Sequence, residues 1–247
     1  MAYQTVFRRY ELKYMLTTEE KEKILEAMSP YMAIDGYGRS CIRNIYFDTD
    51  NFRLIRRSIE KPVYKEKLRI RSYSRASGED TVFVELKKKY EGVVYKRRLP
   101  LCERDAMAWV LRERGCPTDT QISREIDYFI DFYGRLYPTV LLSYEREAYY
   151  ERRGGDFRVT FDDNILCRLE DVRLGSDIYG VPLLPEGRVL MELKCSGGMP
   201  LWMARMLSRE RIYKTSFSKY GTAYAKTVFS RNDKSNLKET VANGCGI

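Results

Sequence analysis

The tripeptide Glu-Leu-Lys occurs three times, as Glu11-Leu12-Lys13, Glu85-Leu86-Lys87 and Glu192-Leu193-Lys194. In an extended segment residues two apart share a face, so each copy sets a carboxylate beside an ammonium. Further rows of charge accompany them. Lys65, Lys67, Arg69, Arg71 and Tyr73 share one parity, with Glu66, Leu68, Ile70 and Ser72 on the other. Glu85, Lys87 and Lys89 oppose Val82, Val84 and Leu86, and Lys96 aligns with Arg98. Arg158, Thr160 and Asp162 oppose Phe157, Val159 and Phe161, and Arg188, Glu192 and Lys194 oppose Val189, Met191 and Leu193. Lys and Arg donate charge-assisted hydrogen bonds to phosphate oxygens. Carboxylates among them suit a divalent cation that bridges phosphates.

Other chemistries are excluded by what the chain lacks. It contains no histidine, which removes serine–histidine and cysteine–histidine mechanisms and the commonest zinc ligand. The six cysteines form no CxxC pair, and reduced thiols in the cytoplasm are the simplest expectation. Charges interrupt every apolar run near the N-terminus, so no signal peptide and no membrane span is expected. The net charge of +9, from 44 Lys and Arg against 35 Asp and Glu, favours a polyanionic partner without choosing among nucleic acid, phosphorylated metabolite and membrane.

The elements that must position these rows are mainly strands. Period-two alternation predicts them over Phe7–Met15, Ile42–Asp48, Val63–Tyr73, Thr81–Tyr90, Val93–Pro100, Thr139–Tyr150, Phe157–Asp163 and Arg188–Cys195. Helices are predicted from Thr18 to near Pro30, over Arg104–Arg114, around Ile122–Tyr133, over Pro200–Leu207 and over Ser218–Phe229. With 44% hydrophobic residues in 247 the chain supports a real core. One domain over residues 1–230 is expected, followed by a polar, disordered tail over 231–247.

Alternation alone also fits an open sheet with its charged side in water. Three features favour the inverse. Each Glu-Leu-Lys sits mid-strand. Basic residues outnumber acids on the charged faces, where like charges would repel across strands. The helices need an apolar surface, which the outside of a closed barrel provides. The expected fold is therefore α+β, an eight-stranded antiparallel β-barrel with a polar interior and helices packed outside. A charged interior is costly unless its charges are met, and a triphosphate or polyphosphate chain would meet them.

Several motifs also carry a resemblance: Arg9-Tyr10-Glu11-Leu12-Lys13-Tyr14, Tyr46-Phe47-Asp48-Thr49, Lys67-Leu68-Arg69-Ile70-Arg71, Val84-Glu85-Leu86-Lys87, Tyr144-Glu145-Arg146 and Ser216-Phe217-Ser218-Lys219-Tyr220. In this order, from about Phe7 to Phe229, they resemble the VTC domain, the polyphosphate polymerase module among the triphosphate tunnel metalloenzymes. The resemblance implies an ATP substrate, a Mn²⁺ or Mg²⁺ ion, and phosphoryl transfer onto pyrophosphate or a growing polyphosphate. It implies phosphate contacts from Lys13, Arg69, Arg71, Lys87, Lys96, Arg146 and Arg158, and from Lys219 and Lys214 near a closing C-terminal helix. Glu192 would be the metal-binding glutamate and Glu11 a second candidate, although Glu11 and Glu85 could instead hold cationic side chains in place. Arg9 stands where the wider superfamily often has the first Glu of Glu-x-Glu-x-Lys, which matches the VTC branch and counts against two-metal hydrolysis. No regulatory SPX domain and no membrane segment is expected, so a membrane or secreted-protein partner is not encoded in this chain.

Two alternatives remain at this stage. A tripolyphosphatase or nucleoside triphosphatase would use the same tunnel with water as nucleophile. A non-catalytic barrel binding RNA or single-stranded DNA would need aromatics among its cations, and the strand from Lys65 to Arg71 carries none; no DNA partner is expected. Tyr144 and Tyr149 read as packing residues, and Trp109 and Trp202 as helix core.

Overall fold

The computed structural model describes residues 6–229. The tail expected over 231–247 lies outside the described residues. The strands are β1 (Val6–Thr17), β2 (Met32–Asp48), β3 (Tyr64–Ser72), β4 (Thr81–Tyr90), β5 (Val93–Cys102), β6 (Tyr137–Glu151), β7 (Arg158–Arg168), β8 (Val181–Pro182) and β9 (Arg188–Cys195). The helices are α1 (Thr18–Met28), α2 (Arg53–Ile59), α3 (Glu103–Val110), α4 (Gln121–Tyr133), α5 (Leu201–Arg209) and α6 (Lys219–Tyr224), the last running into a π-helical turn over Ala225–Phe229. None of them is long and apolar enough to cross a membrane.

The architecture is an α+β antiparallel sheet with helices. Its strand order is β6-β2-β3-β4-β5-β1-β9-β7-β8, and β6 also pairs with β7. That last ladder, from Leu141↔Arg168 to Tyr150↔Arg158, joins the first and last of the eight long strands, so their pairings form a ring with the two-residue β8 outside it.

The faces divide as the alternation predicts. The outward residues Leu68, Ile70, Val82, Val84 and Leu86 form a core with Trp109 and Val110 from α3 and Ile126, Phe129 and Ile130 from α4. Tyr14, Leu16, Val159, Phe161, Met191 and Leu193 pack on Ile24 and Met28 of α1 and Met203, Met206 and Leu207 of α5. Fully burying one such side chain stabilises by roughly 1.5–3 kcal/mol. Trp109 is core as expected, and its indole N–H donates to Asp127 at 2.9 Å. Trp202 is only partly buried and stacks on Tyr31 at 4.6 Å.

Local signals explain the helix starts. At α1, Thr17 and Glu20 make a capping box, with Glu20 N–H donating to Thr17 Oγ1 at 3.1 Å and Thr17 N–H to Glu20 Oε2 at 2.7 Å. The sequence reading missed α2, because its cap lies far upstream. The Asp48 carboxylate, at the end of β2, accepts from the backbone N–H of Leu54 at 2.8 Å and of Ile55 at 3.0 Å. The reading also started β2 ten residues late, because Met32–Cys41 carries Gly36 and Gly38 and buries only Met32, so it shows no sustained alternation.

The expectation that helices pack only outside needs correction. On part of β2, β6 and β9 the inward-parity residues are apolar: Ile42, Tyr46, Val140, Leu142, Tyr144 and Leu190 cluster with Tyr220 and Ala223 of α6. That apolar stretch must be covered, and α6 covers it from the inward side.

Candidate functional site

The inward face carries carboxylates that each gather several cations. Glu85, fully buried, accepts from Arg69 through Nε at 2.9 Å and Nη2 at 2.7 Å, from Arg98 Nε at 2.7 Å and from Lys96 Nζ at 3.3 Å. Arg71 Nε lies 3.8 Å away. The register makes this knot, since Glu85 faces Arg69 on one side and Arg98 on the other. Burial alone would push Glu85 up, but Arg71, Arg69, Lys96 and Arg98 outweigh it and hold the carboxyl well below its usual range. The same burial, with Arg98, Arg71 and Arg69 adding repulsion, brings Lys96 down to about 6 although Glu85 opposes this.

A second knot joins β1, β6, β7, β9 and α6. Glu192 lies 3.2 Å from Lys219, 3.4 Å from Lys13, 3.0 Å from Lys194 and 3.6 Å from Arg146. Arg146 grips Asp162 with two parallel bonds of 2.6 and 2.7 Å, a bidentate pairing. Lys219 Nζ reaches the same Asp162 at 2.6 Å, so it bridges Asp162 and Glu192. Burial would raise Glu192, but Lys219, Lys194, Lys13 and Arg146 hold it well below the ordinary carboxylate value. Lys194 falls to about 8 by burial, against the pull of Glu192. Glu11 accepts from Lys87 at 2.7 Å. Burial pushes it up, yet Lys87, Lys194 and Lys13 bring it down to about 2 against Glu192.

Aromatics and an amide complete the lining. Arg69 Nη1 donates to Tyr46 OH at 2.8 Å, and Arg71 donates to Asn44 Oδ1 at 2.9 Å and to Tyr144 OH at 3.1 Å. Tyr144 is thus more than packing: Lys219 and Arg146 also sit 4.7 and 5.1 Å from its ring centroid, within cation–π range. Tyr149 packs edge-on against Phe161, as expected.

The segment before α6 lies across one part of this face. Lys13 Nζ donates to the Phe217 carbonyl at 2.7 Å, and Lys67 Nζ to Ser218 Oγ at 3.0 Å. Ser218 also caps α6 through the Gly221 N–H at 3.1 Å; a Cβ on Gly221 would lie 3.2 Å from the Ser218 side chain. Tyr220 stacks on Tyr46 at 4.8 Å and donates to Asp48 at 2.8 Å.

Of the residues singled out from the sequence, Lys13, Arg69, Arg71, Lys87, Lys96, Arg146 and Lys219 converge here with Glu11 and Glu192. Two do not. Arg158 faces Lys194 in register but its side chain is exposed. Lys214 is exposed beside β1, where its backbone bridges Tyr14. The charges of Glu145 and Glu147, of opposite parity to Arg146, turn outward to Arg39. The sequence reading named Asp162, Tyr46 and Tyr144 without giving any of them a role in the site, and did not name Asn44. Parity was the available signal for Asp162, which aligned with Arg158 and Thr160; the tyrosines and asparagine needed the register that sets them beside Arg69 and Arg71.

Oxygen donors such as Glu192, Glu11 and Asp162 suit Mg²⁺ or Mn²⁺. Among the described residues no three His, Cys, Asp or Glu side chains cluster as a metal cage, and Lys219 Nζ holds the point between Asp162 and Glu192. The residues therefore fit an ion that takes most of its ligands from phosphate and water, which is how Mg²⁺ is commonly held.

A buried face of cations knotted by a few carboxylates, inside a ring of antiparallel strands, defines a tunnel-type phosphate-handling protein. The chain belongs to the VTC domain family, which matches residues 8–228. No functionally curated protein matches the sequence. An adenylate cyclase-like protein from Bacillus halodurans shares the fold at a TM-score of 0.55 and 16% identity, over 87% of this chain and 96% of that one. Weaker likenesses reach a Pyrococcus horikoshii OT3 protein, with TM-score 0.44, 14% identity and 89% and 99% of the two chains covered. They also reach the Mimivirus capping enzyme triphosphatase, with 0.38, 9%, 83% and 88%.

Proposed function

We propose that this protein is a polyphosphate polymerase that transfers the γ-phosphate of ATP onto a growing inorganic polyphosphate inside a closed eight-stranded tunnel. The observation that carries this reading is the state of the inward carboxylates. Glu11, Glu85, Asp162 and Glu192 are each bound to lysine or arginine, and each is held below its ordinary value against burial. A hydrolase must orient and activate water, and in a chain without histidine a free carboxylate is the expected protein base for that. A phosphate chain end is already anionic and needs none, so the bound carboxylates favour it as nucleophile over water.

Catalysis in this reading is positioning and charge neutralisation. Arg69, Arg71 and Lys96 give donors to the phosphates from one wall, and Arg146, Lys219 and Lys13 from the facing one. Lys87 extends the row. Arg158, at the exposed edge, would make at most an entry contact, and Lys214 the same beside β1. Glu192, with Glu11 as the second candidate, would hold the divalent ion, which when bound neutralises charge on the β- and γ-oxygens. An arriving triphosphate would compete with the carboxylates for the cations that now hold them, which would free Glu192 to hold the ion.

The test is incubation with ATP and Mn²⁺ or Mg²⁺, with products resolved on a gel stained for polyphosphate and free phosphate assayed in parallel. Polymer with little free phosphate is expected. Free phosphate equal to ATP consumed, with no polymer, would reject the polymerase reading.

A further inference from the structure

Where β3 begins and β4 ends, the inward face changes character. Lys65 and Lys89 are register partners, Lys67 faces Lys87, and Lys87 faces Lys96. Like charges directly opposite in a sheet repel. Lys87 and Lys96 are relieved by Glu11 and Glu85. Lys65 and Lys67 are not: among the described residues neither has a carboxylate partner. Lys65 Nζ donates to the Ser58 carbonyl at 3.1 Å and Lys67 Nζ to Ser218 Oγ at 3.0 Å. The charges acting on Lys67 come from Lys13 of β1, Lys87 of β4, and Lys65 and Arg69 of its own strand, with the Tyr220 ring of α6 at 5.8 Å. Those acting on Lys65 come from Lys89, Lys13 and Lys61. Burial first, and this repulsion second, brings Lys67 down to about 7 and lowers Lys65.

We propose that Lys65, Lys67 and Lys89 form a second anion subsite, which takes the phosphate units of a polyphosphate that extend beyond the part of the tunnel lined by arginine and carboxylate. This rests on the polyphosphate reading above and adds a determinant of chain length to it. An ammonium has three N–H donors, and Lys65 and Lys67 each spend one on the protein, so both retain donors for phosphate oxygens. A polyanion supplies the counter-charge that the protein omits at this end. A triphosphate held by the cations around Glu85 and Glu192 would leave the subsite unfilled.

The test is calorimetry with tripolyphosphate and with long-chain polyphosphate, on the wild type, a Lys65→Met/Lys67→Met pair and a Lys65→Arg/Lys67→Arg pair. The methionine pair should lose about tenfold or more in affinity for the long chain and less than about threefold for tripolyphosphate, with the arginine pair near wild type. Repeated near pH 8 in buffers of different ionisation enthalpy, wild type should take up more protons on binding the long chain than on binding tripolyphosphate, because Lys67 enters only the long-chain complex charged; both variants should lose that excess. Unchanged long-chain affinity in the methionine pair, or equal losses for the two ligands, would overturn the subsite while leaving the tunnel reading intact. Wild type that binds neither polyanion would overturn the tunnel reading itself. Should the methionine pair fold poorly, the arginine pair decides: proton uptake equal to wild type would reject the role of these lysines.

Discussion

The middle of the inward face and its lysine-only end are built from the same kind of side chain and treat it in opposite ways. Around Glu85 and Glu192 each carboxylate is shared by several cations, and the guanidinium groups of Arg69 and Arg146 end up held more firmly charged than usual, burial notwithstanding. At Lys65 and Lys67 there is no carboxylate, and burial pushes the ammonium groups toward neutrality. The first region holds its guanidinium charges without ligand, although burial still lowers Lys96 and Lys194 there. The second is a stored repulsion that only an anion relieves. The difference teaches that a basic face is not uniformly poised: carboxylates fix the arginines of one part in the charged form, and the lysine-only end has no such partner.

The comparison can be broken or sharpened by substitution, and the largest effect is expected at Glu192. If it serves an ion bridging the phosphates, Glu192→Gln should lose polymer and free phosphate together while tripolyphosphate binding through the arginines survives. Near-normal turnover at saturating ATP and metal would move the metal assignment to Glu11. Glu85→Gln comes next. It leaves Arg69, Arg71, Lys96 and Arg98 around a neutral amide, and breaking a buried ion cluster costs about 3–5 kcal/mol. Urea denaturation showing no lowered midpoint would mean that the knot is not structural. Arg71→Ala should then weaken tripolyphosphate binding by about 1.5–3 kcal/mol, the worth of a hydrogen bond to a charged group, read by calorimetry.

The smallest effect lies in the pH dependence of stability, and it separates the two regions. The carboxyl of Glu11 is depressed from 4.5 to about 2, so its stabilisation is full above pH 4.5 and is lost as pH falls toward 2. Lys67 is depressed from 10.5 to about 7. The unfolded chain then binds more protons between those values, and stability should rise with pH from about 7 to 10.5. Lys67→Met should lessen that alkaline slope, to which Lys96 and Lys194 also contribute, and leave the acidic one. Denaturation midpoints that keep the alkaline slope in Lys67→Met would show that Lys67 carries no such repulsion.

Much of this was legible in the sequence, because strand parity is a local property. The rows Lys65–Arg71, Glu85–Lys89 and Glu192–Lys194 announced a charged face, and the apolar opposite parity announced where α3, α4 and α5 would pack. What parity cannot give is register. Which side chain meets which cation, as in Arg146 with Asp162 or Arg71 with Asn44, depends on the alignment of one strand against the next, here β6 with β7 and β2 with β3. It also fails where a cap comes from a distance, as Asp48 does for α2, and where a helix covers the inward side, as α6 does. Arg158 had the right parity and still lies exposed at the edge, since parity sets the face and not the depth.

The most direct measurement is a ³¹P NMR time course of wild-type protein with ATP, divalent metal and pyrophosphate as primer. Held cations and an anionic nucleophile predict that the γ-phosphate signal of ATP falls as internal polyphosphate resonances grow, with orthophosphate staying low. Orthophosphate rising in step with ADP, and no internal chain resonance, would contradict the account.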